Sequence, residues 1–359
     1  MVVIRCAVHD RGQPVTFERK LMEQFRPIRN LTCRIGQQCG ILCNRKSRDI
    51  TGHCPEWGDD LEKTKYIFAL GFFDGVHLGH QALLKECCAL AEAVGAIPAA
   101  ITFDKHPQSL FLPKPPVLLS TEADRRRLLH HYGIRVVHTL PVTRETMSIP
   151  WERFAERLLE LGAAGFVCGD DFRFGHKGQG DSAKLRQFCE ERGLSCRVVE
   201  QQTMNGKRIS STLIRSRIDS GDMESATRYL GHPHVLTGTV VHGQQIGRKL
   251  GFPTANLLIP PAVAVPKFGV YACLCVIDGK SYPAVTNVGT RPTVAGTGVT
   301  VEPWILDFSG DLYDRQIRVE FYRFLRPEMK FPDLEALQQE ILRNAEETRA
   351  YLKNREENR

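Results

Sequence analysis

No apolar run in this sequence approaches the roughly 20 residues that a membrane-spanning helix requires. The opening stretch MVVIRCAVHDRG meets Arg5, His9 and Asp10 too soon to hold the apolar segment of a secretory signal. A cytoplasmic location is therefore expected, with no membrane partner. A basic block is also lacking. Lys and Arg outnumber Asp and Glu by 48 to 41, an excess spread along the chain, so nucleic acid is not an expected partner. A mild positive balance of this kind suits an anionic small substrate. Internal repeats and low-complexity tracts are absent. What remains is an ordinary globular composition, 42% hydrophobic and 25% charged. Its 359 residues are enough for about two domains, and a monomer or weak oligomer is expected.

Cysteine is present, but not in the spacing that binds zinc. Of twelve cysteines, Cys6, Cys33, Cys39, Cys43 and Cys54 fall in the first 60 residues. Only Cys39 and Cys43 fit the short ligand spacing of a zinc knuckle, and no second such pair accompanies them. The other seven lie in apolar or helical patterns and read as buried free thiols. Residues 1–62 show no sustained strand or helix period and are expected to be a poorly ordered or dispensable extension.

From Thr64 onward the pattern is regular. The stretches YIFALG, IPAAITF, IRVVHTL, AGFVCG and LSCRVVE read as buried strands, alternating with helices such as QALLKECCALAEAVG and WERFAERLLELG. This alternation indicates an α/β fold with a parallel sheet, ligands binding at the carboxyl ends of its strands. Near His232 the pattern changes. HVLTGTVV, GVYACLCVI, KSYPAVTNVG, VTVEPWILDF and RQIRVEFYRFL alternate as strands, with Asp278–Gly279 as a hairpin turn. A small antiparallel β-barrel is expected, closed by a C-terminal helix with Leu334, Leu337, Ile341 and Ala345 on one stripe. The expected division is 63–231 for the α/β domain and 232–355 for the barrel.

The first strand ends in ALGFFDGVHLGH, residues 69–80. A strand, a glycine turn and a helix start make an anion site from free N–H groups and the helix dipole. A P-loop would supply a lysine here; this loop supplies His77 and His80 instead. Spaced i, i+3, the two imidazoles can face one way and donate hydrogen bonds, or carry charge, toward a phosphate. Gly75 and Gly79 permit close backbone approach. For an isolated H-x-x-H the competing reading is a helix cap and a core residue.

The string G-x-F-D-G-x-H-x-G-H resembles the nucleotidylyltransferase family. Its continuation resembles one branch, the bacterial bifunctional riboflavin kinase/FMN adenylyltransferases, also called FAD synthetases. The segments that carry the likeness are ALGFFDGVHLGHQALL, ITFDKHP, CGDDFRFGHKGQGD and RISSTLIRSRIDSGDMESATRYLG, then GRKLGFPTANL, FGVYA, NVGTRPTV, VTVEPWILDF, LYDRQIRVEF and FLRPEMKF. They run from about Lys63 to about Leu352, and 1–60 is not covered. The resemblance implies a Rossmann-like adenylyltransferase domain followed by a riboflavin kinase barrel, with ATP, riboflavin, FMN and FAD as substrates or products and Mg²⁺ as cofactor. In the first module it implies that His77 and His80 contact ATP phosphates and stabilise the transition state. Gly71, Phe73, Asp74 and Gly79 would shape the nucleotide site. Ser210, Ser211, Thr212 and Arg215 would hold the leaving phosphates, although a plain Ser/Thr helix cap is compatible with the same residues. Asp171 would position the flavin nucleotide or, alternatively, serve only a turn.

In the second half, Gly247 and Gly251 bracket a flap that leads to Thr254 and Asn256. Their oxygens, two residues apart on an extended segment, are hard ligands of the kind magnesium takes. The resemblance assigns them to Mg·ATP, and makes Glu302 the base for the ribityl hydroxyl. By itself, Glu302 also reads as a solvent-facing strand residue. Arg291 and Arg326 are candidate phosphate or flavin contacts. The chain departs from the family at Trp304, where relatives have His, and at Asn344, where relatives often have Asp. These departures bear on flavin packing and domain contacts. A first module with another acceptor, such as nicotinamide mononucleotide or phosphopantetheine, leaves the G-F-P-T-A-N half without a use. A flavin- or RNA-binding regulator would not need His77, His80, Thr254, Asn256 and Glu302 intact.

Overall fold

Each of the five apolar stretches expected to be a buried strand is a strand, but only the three central ones are mainly buried; the two at the sheet edges, 136–140 and 195–199, are largely half-exposed. β1 (Tyr66–Leu70), β2 (Ile97–Phe103), β3 (Val136–Leu140), β4 (Ala163–Gly169) and β5 (Ser195–Val199) form a parallel sheet in the order β3-β2-β1-β4-β5. The chain winds outward from β1 to β3, then returns to the other side of β1 with β4. That reversal leaves a crevice beyond the carboxyl ends of β1 and β4. The computed structural model describes residues 64–243, 247, 251–260, 262–293 and 296–357, the side chains of 291–297 excepted. The expected extension 1–62, with its five cysteines, lies outside the described residues.

The helices are α1 (Leu78–Ala93), α2 (Glu122–His131), α3 (Trp151–Glu160), α4 (Ser182–Glu190), α5 (Ser211–Ser220), α6 (Met223–Leu230) and α7 (Leu334–Glu357), with one further turn at Arg144–Met147. α1 buries Leu83, Leu84, Cys87, Leu90 and Ala91, the stripe its spacing predicts. Among the described residues no helix is long and apolar enough to cross a membrane. All seven described cysteines are free thiols.

The second half is a closed barrel of six strands: β6 (His234–Val241), β7 (Asn256–Leu258), β8 (Gly269–Ile277), β9 (Lys280–Thr293), β10 (Gly296–Ile305) and β11 (Gln316–Arg326), in the order β6-β7-β10-β9-β8-β11. Asp278 and Gly279 turn β8 into β9 at φ 49 and 81, with Ile277 opposite Lys280, as a two-residue hairpin requires. The short strand β7 grows from the P-T-A-N segment, which the sequence marks by its oxygens and not by its period. α7 differs from its expected stripe. Its buried residues are Asn344, Ala345, Thr348 and Leu352, and Leu334 is exposed. Leu337 and Ile341 face a cavity and not the core, which is why the apolar stripe and the buried face do not coincide.

One core joins the two halves. Ile214 and Ile218 of α5, and Met223, Ala226 and Leu230 of α6, pack in the same buried cluster as Leu236, Tyr271, Val319 and Phe321 of the barrel. Polar contacts follow the same seam. Leu118 exchanges main-chain hydrogen bonds with Ala262 and Ala264, and Thr237 Oγ1 donates to Asp124 Oδ1 at 2.9 Å.

Candidate active sites

At the end of β1 the chain makes a tight loop into α1. His77 is the N-cap of α1, and its Nδ1 accepts from the His80 amide at 3.4 Å. The proton of a neutral His77 ring is therefore on Nε2. The His77 and His80 rings stack with centroids 3.7 Å apart and planes 15° from parallel. Phe73, fully buried, meets His80 edge-on at 5.3 Å and forms the floor beneath the pair. His80 Nδ1 has no hydrogen-bond partner among the described residues.

Burial holds both rings neutral. It lowers the His77 pKa to about 4, with smaller contributions from His232 and Arg208. It takes His80 well below the ordinary imidazole range, with the neighbouring His77 and Arg125 acting the same way. Of the two roles open to the pair, hydrogen-bond donation and positive charge, this burial favours donation.

The pair opens on a cavity of about 390 Å³ at the carboxyl ends of β1 and β4, lined also by Gly71, Gly79, Asp171, Ser210 and Ser211. A smaller apolar recess of about 140 Å³ adjoins it, lined by Ile101, Met147, Ile149, Phe154, Phe172 and Phe174. Ser210 caps α5 by accepting from the Leu213 amide, so capping and a place on the cavity wall coexist. Asp74, Thr212 and Arg215 are not on that wall. Asp74 is buried beneath the loop, accepting from the Leu119 amide at 2.8 Å and from Arg215 at 3.1 Å. Burial raises its pKa to about 6 against the opposing pull of Leu119 and Arg215. Arg215 also donates to Thr212 Oγ1 at 3.3 Å. Arg208, which sequence reasoning missed, reaches the cavity and pairs with Asp171. It stands immediately before the I-S-S-T motif, and only that proximity could have marked it.

In the barrel, Gly247 closes the flap by accepting from the Phe252 amide at 2.8 Å. A Cβ at Gly247 would lie 2.4 Å from Phe252 O, so glycine is required for that approach. Gly251 sits at φ 84. Thr254 and Asn256 line one cavity of about 600 Å³ with Tyr313, Asp311 and Phe308. Thr254 also borders a second cavity of about 290 Å³, lined by Glu302, Trp304, Arg326, Phe331 and Ile341. Glu302 is partly exposed while its neighbour Val301 is buried, as strand alternation requires. Trp304, the first departure from the family pattern, stands edge-on to Phe252 at 4.9 Å. Asn344, the second, is buried and accepts from Arg326 Nε at 2.9 Å. Arg326 is thus tied to α7, and to Glu340 at 3.0 Å, while still lining the cavity. The backbone of Arg291 lies in β9 opposite Gly298; its side chain is outside the described residues.

A doubly wound sheet with a stacked histidine pair on a cavity at its switch point, sharing a core with a barrel that holds a cavity of about 600 Å³, is the build of a two-site nucleotide-dependent transferase. The family model for FAD synthetase matches residues 59–213, and that for riboflavin kinase matches residues 230–352. The bifunctional riboflavin kinase/FMN adenylyltransferase of Listeria monocytogenes is 33% identical over 83% of this chain and 96% of its own. That of Pseudomonas fluorescens is 37% identical over 77% and 89%. A solved structure from Streptococcus pneumoniae, of a protein named as a macrolide-efflux protein, superposes with TM-score 0.73 at 28% identity over 80% of this chain and 94% of that one. The chain belongs to the bifunctional riboflavin kinase/FMN adenylyltransferase family.

Proposed function

We propose that this chain phosphorylates riboflavin to FMN with ATP, releasing ADP, and then adenylylates FMN to FAD, releasing pyrophosphate. Residues 232–355 carry the first reaction and 63–231 the second. The observation that carries this reading is the convergence of each motif set on a cavity of its own, the histidine pair on one and Glu302 with Thr254 on the other.

In adenylyl transfer the FMN phosphate oxygen attacks the α-phosphorus of ATP as the bond to pyrophosphate breaks. His77 Nε2–H and the His80 ring donate to the non-bridging oxygens, where charge develops. Neutral donors fixed by stacking need no reorganisation as the charge grows. Ser210, Ser211 and the α5 amides receive the pyrophosphate. Arg208, released from Asp171, adds positive charge at the rim. Asp74 and Arg215 hold the loop from beneath. The apolar recess lined by Phe154, Phe172 and Phe174 accepts the isoalloxazine ring.

In phosphorylation Glu302 accepts the ribityl hydroxyl proton as that oxygen attacks the γ-phosphorus. The nucleotide lies in the 600 Å³ cavity and the flavin in the 290 Å³ cavity, with Thr254 between them. Thr254 and Asn256 present neutral oxygens. Among the described residues no cluster of three or more His, Cys, Asp or Glu could hold a metal ion unaided. The donor set therefore fits a Mg²⁺ ion that brings phosphate oxygens with it, and such an ion neutralises phosphate charge. We place the enzyme in the cytoplasm as a monomer or weak oligomer.

The test is substitution at each site, with flavins separated by chromatography. His80→Ala is expected to stop FAD formation while FMN accumulates. Glu302→Ala is expected to stop FMN formation while supplied FMN is still adenylylated. Loss of both activities from either variant in a folded protein would overturn the two-site assignment.

A further inference from the structure

The loop that carries the histidine pair is strained. Phe73, Gly75 and Val76 lie at φ 58, 71 and 40. For a β-branched residue such as Val76 a left-handed conformation costs about 1–3 kcal/mol and persists only where the surroundings over-determine it. Here they do. Phe72 O accepts from Thr102 Oγ1 at 2.8 Å, Asp74 O from Ser211 Oγ at 3.3 Å, and Val76 O from Gln81 Nε2 at 2.9 Å. Gly75 O faces His232 Nε2 at 2.9 Å.

Two of these four contacts lead to one short segment, where α6 ends and the barrel begins. Gln81 Nε2 also donates to Leu230 O at 2.6 Å, and His232 Nδ1 lies 2.8 Å from Pro233 O. Between them, Gly231 sits at φ 76, where a Cβ would meet Leu78 Cδ2 at 2.7 Å and Gln81 Nε2 at 2.9 Å. The segment is seated directly against the base of the loop.

We propose that His232 is a positioning residue for adenylyl transfer: its ring is a strut from the start of the barrel to the Gly75 carbonyl, and it holds the loop so that His77 and His80 face the nucleotide. The inference rests on the function proposed above and extends it to a residue outside the cavity. Gly75 is two residues from His77, so a shift of its peptide turns the stacked pair as a unit. Both ring nitrogens of His232 face carbonyl oxygens, yet a neutral imidazole has a single N–H to give. The charged or titratable groups around it are Arg127 of α2, Glu320 of β11, His77 of the loop and His234 of β6. Burial keeps the ring below the ordinary imidazole range. In the neutral ring the tautomer that serves the loop carries its proton on Nε2, toward Gly75.

The experiment compares His232→Gln with His232→Asn in the full chain, measuring FAD formation from FMN and FMN formation from riboflavin on the same preparations. A glutamine amide nitrogen reaches about as far as Nε2, and an asparagine one only as far as Nδ1. His232→Asn is expected to lower kcat of adenylyl transfer about tenfold, the effect of one lost hydrogen bond. KM for ATP and FMN should stay within about twofold, since the strut touches neither ligand. His232→Gln is expected to keep about a third or more of kcat, and riboflavin phosphorylation should be unchanged in both. Equal effects of the two variants, a change confined to KM, or a fall of both activities in step would overturn the proposal. His80→Ala, assayed alongside, keeps the two failures apart: FAD formation surviving that substitution would overturn the site assignment itself.

Discussion

Burial of imidazole has a consequence for stability that can be worked out residue by residue. His77 and His234 are held down to about 4, and His80 and His232 below the ordinary range, in each case chiefly because burial disfavours the charged ring. In the unfolded chain each of these rings takes up a proton near pH 6.5. Between pH 6.5 and about 4 the unfolded state therefore binds more protons than the native state, and stability falls as pH falls. Asp74 works in the opposite direction. Its folded pKa of about 6 lies above the unfolded value of 3.8, so burying it costs stability as pH rises through that interval. His106 and His138 are lowered by burial in the same way, and six rings against this one carboxyl leave the histidines dominant. The unfolding midpoint is expected to be level above pH 7 and to drop steadily from 6.5 toward 4, measured by denaturant titration across pH. Replacing His234, whose ring hydrogen-bonds Ala264 O at 2.9 Å remote from either cavity, with Gln should flatten the drop. A level profile down to pH 4.5 would refute the assignment of neutral buried rings.

At the scale of elements, α7 carries a wall of the kinase cavity and fixes the one described cation there. Asn344 accepts from Arg326, donates to Glu340 Oε1 at 3.0 Å, and is itself buried. Its neutral amide satisfies both ions at once, a pairing that a carboxylate at this position would trade for repulsion from Glu340. Asn344→Leu removes one of the acceptors of Arg326 Nε, leaving it to Glu340 Oε1, and takes from Glu340 the Asn344 amide donor, both inside the fold. The expected cost is about 1–3 kcal/mol of stability, with a raised KM for riboflavin and unaltered adenylyl transfer from supplied FMN. Steady-state kinetics of both reactions check it, and an unaltered riboflavin KM would detach Arg326 from the flavin site. These elements also mark what the sequence discloses. Strands β1, β2 and β4 are legible because a strand buried on both faces must be apolar throughout, whereas the edge strands β3 and β5, half-exposed and carrying His138 and Arg197, are legible only from their β-branched residues. α2 is not, because EADRRRLLHH hides its inward face behind Arg125, which is wholly buried over the Phe72 ring at 4.5 Å and donates to Phe103 O. The place of His77 and His80 on the cavity wall is legible from a glycine loop between a strand and a helix start. Arg208 and His232 are not, since each matters through a partner distant in sequence, Asp171 and Gly75, and no local period records such a pairing.

At the scale of the molecule, the two activities draw on one core. α5 begins at the adenylyltransferase cavity with Ser211, and its inner residues Ile214 and Ile218 lie in the same buried cluster as Leu236 of the barrel strand β6. A cluster shared in this way lets packing on one side support the other, and the described residues belong to a single compact unit. Leu236→Ala removes a fully buried side chain and is expected to cost about 2–5 kcal/mol, as other large-to-small core changes do. Leu236 lines neither of the kinase cavities nor the histidine cavity, so both reactions should keep their kcat at low temperature. The effect should instead appear on heating, with adenylyl transfer and riboflavin phosphorylation lost at the same lowered temperature. Barrels folding independently of the sheet would give another result, with phosphorylation failing first and FAD formation from supplied FMN persisting to the original midpoint. Residual activity of each kind, followed through one heating series on one preparation, distinguishes the two. The coupling it tests is the same that lets a residue at the start of the barrel hold a catalytic loop in the sheet domain.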